Sequence, residues 1–485
     1  MQLARKLHLP ALFCALAVLL CELISRPYAN VGICDDGPYI LMAQHLSNTG
    51  HIVYTSWPGS MLGWQLYLGA VFIKLFGFSF TVFRMGTLFN ALLTAFLLQR
   101  TLVRAGINER NATLGTLAYV LSPLYLMLAV TYMSDVFGLF ALVLCFYSCL
   151  RALQASTDRA IISWLYFAAA SNAVLGTARQ FAWLGLLVML PATLWLLRSR
   201  RRVFLAGAAA TAASALFVFA CNRWFQHQPY TLPESLSIAP GSEFNILSSF
   251  FHALLELPFL LLPVTLLFIT ELRRNTRRSI QVASTAFVVS ILILLALHWK
   301  HAEMHPLLEP FMGDWLTKYG GYGGGYMAAP IFLPAGARAV LTILSLAGLL
   351  GLATSLLYPP RRSPGTDAPQ SPGWGTLGML LAPLTVAYLL LLTSRAAQVN
   401  GLYDRYMLVL LIVALPCVIR YYQERIQPRL PTATVFLIAI TAIYGIAGTH
   451  NMFSRYRAFA RATHQAALSA PPGSESMAPP NNKKR

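Results

Sequence analysis

Acidic side chains are scarce in this sequence: 17 aspartates and glutamates stand against 36 lysines and arginines in 485 residues. Charge of either sign is sparse, at 11% of positions. So few charges cannot cover a water-soluble chain of this length, and no polar stretch is long enough to stand as a soluble domain. Also missing are the alternating ten-residue segments of an outer-membrane barrel and a Gly-Lys-Ser/Thr phosphate loop. There is no cysteine framework. Cys14, Cys21, Cys145, Cys149, Cys221 and Cys417 lie in apolar segments and only Cys34 is near a loop, so neither disulfide pairing nor zinc spacing follows.

What fills the chain instead is apolar: 57% of positions are hydrophobic and the mean hydropathy is +0.59. Apolar segments recur near 9–25, 61–77, 82–98, 112–131, 136–153, 160–177, 181–197 and 203–222, then near 253–270, 280–298, 338–357, 375–393, 404–421 and 432–449. A bilayer core of about 30 Å takes roughly 20 such residues per helix, and a helix satisfies its own backbone in lipid. The sequence predicts an all-α polytopic integral membrane protein. Its net charge of +19 does not call for nucleic acid, because the arginines cluster in short loops, as cytoplasmic loops do. Anionic headgroups of the bilayer suffice as their partners.

The loops around Arg198–Arg202, Arg273–Arg278 and Arg361–Arg362 fix the expected orientation, with the N-terminus cytoplasmic. Arg104 and Arg110 then fall inside and Asp35 outside, although two apolar segments separate them. The stretch 61–77, interrupted by Gly63, Gly69 and Lys74, is therefore expected to lie along or dip into the interface, or to join the next segment as one broken helix. Thirteen crossings and an exoplasmic C-terminus result. This orientation puts Asp35, Asp36, Asp135, Glu234, Glu243, Glu303, Glu309, Asp314 and Asp404 on the exoplasmic side. No carboxylate sits at mid-span, which favours surface chemistry over solute transport. Three regions are expected: a catalytic membrane module over 1–200, a variable membrane module over 201–450 with an exoplasmic loop at 299–337, and a partly disordered exoplasmic tail over 451–485.

The stretch from Cys34 to Gly59 organises the rest. Asp35 and Asp36 are adjacent carboxylates just beyond a membrane boundary. Tyr39, Ala43 and Leu46, with Ile40, Leu41 and Met42, follow at helical spacing and predict a short amphipathic helix in the interface. The long loop carries Lys300, His301, Glu303, His305 and Trp315, and a glycine run from Tyr319 to Tyr326. Its flexible backbone and flat rings suit a mobile lid over a saccharide. Pro306 disfavours the helix that would pair His301 with His305 as metal ligands.

In order and spacing these residues resemble the GT-C membrane glycosyltransferases that use polyprenyl-phosphate sugars, in the branch of protein mannosyltransferases, lipid A aminoarabinose transferases and rhizobial core galacturonosyltransferases. Matching positions are Asp35, Asp36, Tyr39, Ala43 and Gly50, then Trp57-Pro58, Phe76-Gly77 and Arg84, then Ser122-Pro123 and Asp135. The chain departs from the pattern where Trp57-Pro58-Gly59-Ser60 replaces a Lys-Pro-Pro-Leu element. Beyond about residue 190 only Asp404-Arg405-Tyr406 matches, as a late Arg-Tyr.

The resemblance implies inverting transfer of a sugar from a polyprenyl phosphate to an acceptor hydroxyl, on a glycan, lipid or protein, at the exoplasmic face. Phosphate is already a good leaving group, so a single carboxylate base can suffice. Asp35 is expected as that base, with Asp36 and Asp135 orienting it. Asp35 and Asp135 could also hold a divalent cation, the one cofactor the residues allow. A cation must stabilise the departing phosphate. Arg405 leads, beside Tyr406, with Arg179, Lys300 and Arg338 as further candidates. Tyr39, His51, Trp57 and Tyr326 are expected to bind substrate. A flippase or a non-catalytic binder of lipid-linked saccharides is the competing reading.

Overall fold

The computed structural model describes residues 8–55, 58–232, 238, 240–269, 277–300, 309–325, 327, 329–359, 372–398 and 401–469. Among them the chain is all-helical, apart from an isolated bridge between Thr317 and Gly320. The first part runs α1 Leu9–Ser25, α2 Asp36–Thr49, α3 Gly63–Phe76, α4 Phe80–Arg104, α5 Glu109–Val120, α6 Pro123–Ala129, α7 Asp135–Gln154 and α8 Asp158–Leu175. A 3-10 turn Gln180–Trp183 and a π segment Gly185–Met189 lead into α9 Leu190–Leu196. Then follow α10 Arg201–Gln226, α11 Glu243–Leu260, α12 Leu262–Thr265, α13 Arg277–Lys300, α14 Ala335–Leu357 and α15 Trp374–Ala396. A 3-10 turn Asp404–Tyr406 opens α16 Met407–Arg425, and α17 covers Ala433–Ser469.

Local chemistry sets several helix starts. Ser79, Asn108, Ser122 and Thr157 each precede a helix, and each side-chain oxygen accepts from a backbone N–H of the first turn, satisfying a donor the helix cannot. Pro123 has no N–H to give, so the apolar stretch 109–129 restarts there, and α5 and α6 meet at 68°. The pair Glu243–Leu260 and Leu262–Phe268 bends by 77°. The short helix expected after Asp35 is α2, which buries Tyr39, Ala43 and Leu46 together with Ile40 and Met42.

By length and composition, seven helices among the described residues can cross a membrane, or nine if each bent pair is one span. That does not reach the thirteen crossings expected. Leu9–Ser25, Gly63–Phe76 and Gln180–Leu196 are apolar but have 17 residues or fewer, and 17 residues of helix extend only about 25 Å. The stretch 61–77 is accordingly not a full span.

α7 packs against α4 and α8, α4 against α1, α8 against α10, α14 against α11, and α17 against α6 and α1. One continuous core holds side chains from Cys14 to Tyr456. The first and last helices are thus parts of one packed body. The expected boundary at 450 falls inside α17, whose Met452 and Phe453 are buried.

Candidate functional site

The adjacent carboxylates Asp35 and Asp36 have different surroundings. Asp36 is fully buried. Arg84 on α4 donates Nε to it at 3.0 Å, and the N–H groups of Ile33 (2.5 Å) and Tyr132 (3.4 Å) also point at its oxygens. The same guanidinium donates to the carbonyls of Ala29 and Val31, both at 2.6 Å, and lies 5.3 Å from the Phe453 ring. Burial raises the Asp36 carboxyl above the usual range, against the pull of Arg84. Asp36 is therefore a clamp that ties residues 29–36 to α4 and to the start of Tyr132. Asp35 opens α2 but its side chain caps nothing, and it is only half-buried.

Asp35 belongs to a cluster of charges drawn from distant parts of the chain. Asp314 responds electrostatically to Arg405, Asp135, Asp35 and Arg395, and its carboxyl is raised, first by burial, with Arg405 opposing. The Tyr39 phenol is raised by burial and by Asp35, with Arg179 and Arg405 opposing. Cys34, in the left-handed region at φ 57°, is pushed up to about 12 by burial and then by Asp35.

Contacts inside this cluster are loose. Arg405 Nη1 lies 3.5 Å from Asp314 and Arg179 Nη2 lies 3.9 Å from Asp135. Both oxygens of Asp135, and Nε and Nη1 of Arg405, are buried without a hydrogen-bond partner. Arg405 stacks between Tyr403 at 4.8 Å and Tyr406 at 5.7 Å. Arg179 lies 5.8 Å from Tyr406 and donates to Ser60, with Ser134 at 3.4 Å. Buried donors and acceptors left this way are costly. They are suited to a polar ligand.

A cavity of about 410 Å³ adjoins the cluster. Leu184, Leu187, Leu391, Leu392, Phe181 and Trp183 line its apolar part, and Arg179, Arg395, Gln180, Gln398, Ser60 and Tyr406 its polar part. Arg395, in the last turn of α15, bonds Gln398 and faces the Tyr403 ring at 5.2 Å. A second cavity, of about 740 Å³, is lined by His51, Trp64, Tyr67, Phe217, Thr177 and Trp224 among others. The seam between the two is the 59–64 segment: Gly63 N–H donates to the Thr177 carbonyl at 3.0 Å, Trp64 N–H to the Thr177 hydroxyl at 2.9 Å, and Gln180 to the Gly59 carbonyl at 3.3 Å. A Cβ on Gly63 would stand 2.8 Å from that hydroxyl, so only glycine allows the seam to close.

The triplet at 404–406 divides its work in a way the sequence does not reveal. Asp404 is buried and accepts from the backbone N–H groups of Trp315, Leu316 and Arg405 at 2.6 to 2.7 Å. It fastens the long loop, and Arg405 then meets Asp314 from that loop. The expected mobile lid is, over its described part, pinned as well by Arg455 of α17, which donates to the carbonyls of Tyr319 and Gly321 at 2.7 and 2.8 Å. Gly323, at φ 82°, has room for no Cβ against Tyr456. Close packing accounts for this glycine.

Of the expected site residues, the structure brings together Asp35, Asp135, Arg179, Arg405, Tyr406 and Tyr39. His51 lines the second cavity instead. Trp57 and Tyr326, His301 and His305, and the side chain of Lys300 lie outside the described residues. Arg338 is ion-paired with Glu309. No group of three His, Cys, Asp or Glu side chains capable of holding a metal occurs among the described residues. Beside Asp135 stands Arg179, at 3.9 Å. Sequence reasoning missed Arg395 and Asp314 as site residues. The signal for Arg395 was an arginine on the side that the sequence-based orientation assigns to the exoplasm, where the charge rule makes arginines scarce.

Solved structures similar to this chain include the following three. ArnT from Cupriavidus metallidurans in the apo state has a TM-score of 0.42 at 13% identity, covering 93% of this chain and 78% of that one. The same protein bound to undecaprenyl phosphate gives 0.44 at 14%, covering 94% and 79%. Arabinosyltransferase EmbB from Mycobacterium smegmatis gives 0.35 at 15%, covering 92% of this chain and 42% of that one. These neighbours are GT-C glycosyltransferases. No family model and no curated protein matches the chain. Likeness at these scores carries no chemistry, which rests on the site's own geometry.

Proposed function

We propose that this protein transfers a sugar, with inversion, from a polyprenyl-phosphate donor to an acceptor hydroxyl at the exoplasmic end of its helices. The observation that carries this reading is the 410 Å³ cavity, lined by leucine and aromatic side chains together with Arg179 and Arg395, with Asp135 3.9 Å from Arg179. A polyprenyl phosphate has the same division: a hydrocarbon chain and an anionic head. The prenyl chain would lie among Leu184, Leu187, Leu391 and Leu392. The phosphate would meet Arg179 and Arg395, with Tyr406 beside them. Two planar guanidiniums grip phosphate oxygens in pairs, which replaces the lysine missing after the first loop.

In the reaction, Asp35 takes the proton from the acceptor hydroxyl. The freed oxygen attacks the anomeric carbon, the bond from that carbon to the phosphate oxygen breaks, and its electron pair leaves with the phosphate. Charge grows on the phosphate as this happens, so fixed arginine charges stabilise the transition state more than the ground state. Arg405 Nη1 is held by Asp314 just behind, at 3.5 Å, and its Nε, which has no hydrogen-bond partner, can take a phosphate or sugar oxygen. Asp135 keeps Arg179 oriented. The second cavity, across the 59–64 seam, receives the acceptor, a glycan, lipid or protein hydroxyl, with His51 and Trp64 against it.

Purified protein incubated with radiolabelled polyprenyl-phosphate sugars and membrane-extracted acceptors tests this. Release of polyprenyl phosphate coupled to labelled acceptor, lost in Asp35→Asn, is the expected result. Movement of intact donor across liposomes without bond cleavage would replace the enzyme by a flippase.

A further inference from the structure

The other ends of the same helices carry charge that this chemistry does not use. Sixteen residues separate Asp135 from Arg151 along α7, about 24 Å of helix, so Arg151 lies near the opposite membrane face. There the last turns of α4 and α7 meet: Gln154 donates to the Arg104 carbonyl at 2.8 Å, and Arg104 Nη1 lies 3.4 Å from the Gln154 side-chain oxygen. Arg100 and Arg104 of α4 and Arg151 of α7 gather at this junction. Arg104, Glu109 and Arg151 all act electrostatically on Arg100, and all three arginines act on His8.

Among the described residues, three guanidiniums there face one carboxylate. Glu109 is half-exposed and only reaches Arg100 at 3.9 Å. Arg151 is held flat on Trp164 at 4.8 Å and donates to the Tyr147 hydroxyl at 3.2 Å. The Arg100 side chain is nine-tenths buried, and the Nε atoms of both Arg100 and Arg104 are buried with no hydrogen-bond partner. One basic residue in a last turn is explained by the helix dipole or by snorkelling. Three of them packed together, with two buried donors unused, leave like-charge repulsion and desolvation uncompensated. An anion with several acceptor oxygens would satisfy both.

We propose that Arg100, Arg104 and Arg151 form a binding site for the phosphate group of an anionic membrane lipid. Position selects the lipid as the source. α4 and α7 are both long and apolar enough to span, so their last turns lie at headgroup depth, and Trp164 beside Arg151 matches the aromatic belt of that zone. Basic pockets between spanning helices on the cytoplasmic side take phospholipid heads in the same way. The site is independent of the proposed transfer reaction, and its test needs no substrate.

The experiment measures the thermal unfolding midpoint of the full chain in neutral detergent against added phosphatidylglycerol, phosphatidylcholine or inorganic phosphate. Saturable stabilisation by phosphatidylglycerol alone is expected. Arg100→Gln, Arg104→Gln and Arg151→Gln should each weaken the apparent affinity about fivefold, and the triple variant should abolish the response. Arg100→Lys should recover only part of it, since an ammonium lacks the planar fork. Arg201→Gln with Arg202→Gln, at exposed positions, should leave the response unchanged. If the triple variant does not fold, the three single variants decide. An equal response in wild type and the arginine variants, an equal loss in the Arg201/Arg202 control, or the same saturable shift with millimolar phosphate would each overturn the lipid site.

Discussion

Two arginine–carboxylate arrangements around Asp35 and Asp36 are built from the same residue types and do opposite things. Arg84 and Asp36 form a closed unit: the guanidinium has one carboxylate and two carbonyls, and the carboxylate has one guanidinium and two backbone N–H groups. Arg405 with Asp314, and Arg179 with Asp135, sit 3.5 to 3.9 Å apart, and buried polar atoms of Arg405 and Asp135 lack hydrogen-bond partners. A closed pair resists change because every charge is compensated. An open one retains bonding capacity for a ligand, at a cost in stability.

The sharpest test of that contrast is Asp35→Asn against Asp36→Asn. On the open side, Asp35→Asn should lower turnover about 10²- to 10⁴-fold, as loss of a general base does, with the unfolding midpoint unchanged. On the closed side, Asp36→Asn or Arg84→Met should cost roughly 3–5 kcal/mol, because each leaves a buried charge uncompensated. That loss is read by thermal unfolding of the purified protein. An Asp36→Asn protein as stable as wild type yet inactive would move Asp36 from the clamp into the chemistry.

Arg179→Ala and Arg395→Ala come next. Each should remove a charged hydrogen bond to the donor phosphate, about 1.5–3 kcal/mol or roughly ten- to hundredfold in donor affinity. Binding of unreactive polyprenyl phosphate by titration measures it. A loss confined to Arg405→Ala would shift the phosphate from the cavity to the 404–406 turn. The smallest effect belongs to Asp314→Asn. Burial raises the Asp314 carboxyl, so the folded protein holds that proton more tightly than the unfolded chain. Its contribution is fully present below the unfolded value of about 3.9 and is lost as pH rises toward the folded value. Asp314→Asn should therefore flatten that decline. Unfolding midpoints between pH 4 and 7 check the slope.

Much of this was written in the residues themselves. Apolar length marks the helices, Tyr39, Ala43 and Leu46 mark α2, and Asp35, Asp36 and Asp135 with Arg405, Arg179, Lys300 and Arg338 stand out in the sequence as site candidates; the break at Ser122-Pro123 does not. Those features depend on local spacing, on membrane thickness, and on which side of the bilayer a charge falls. Tertiary structure decided what each charge does. Asp35 and Asp36 are neighbours in sequence, but successive positions at a helix start point about 100° apart, so one turns to Arg84 and the other to the open cluster. Asp404 and Arg405 separate in the same way, one gripping the N–H groups of Trp315 and Leu316, the other facing Asp314. Arg395 reaches the cavity because α15 packs beside the π segment after Arg179. Partners such as Asp36 and Arg84, 48 residues apart, or Asp404 and Trp315, 89 apart, leave no periodic trace in a single sequence. They meet only when the helices have packed, and packing alone determines which buried charges are closed and which stay available.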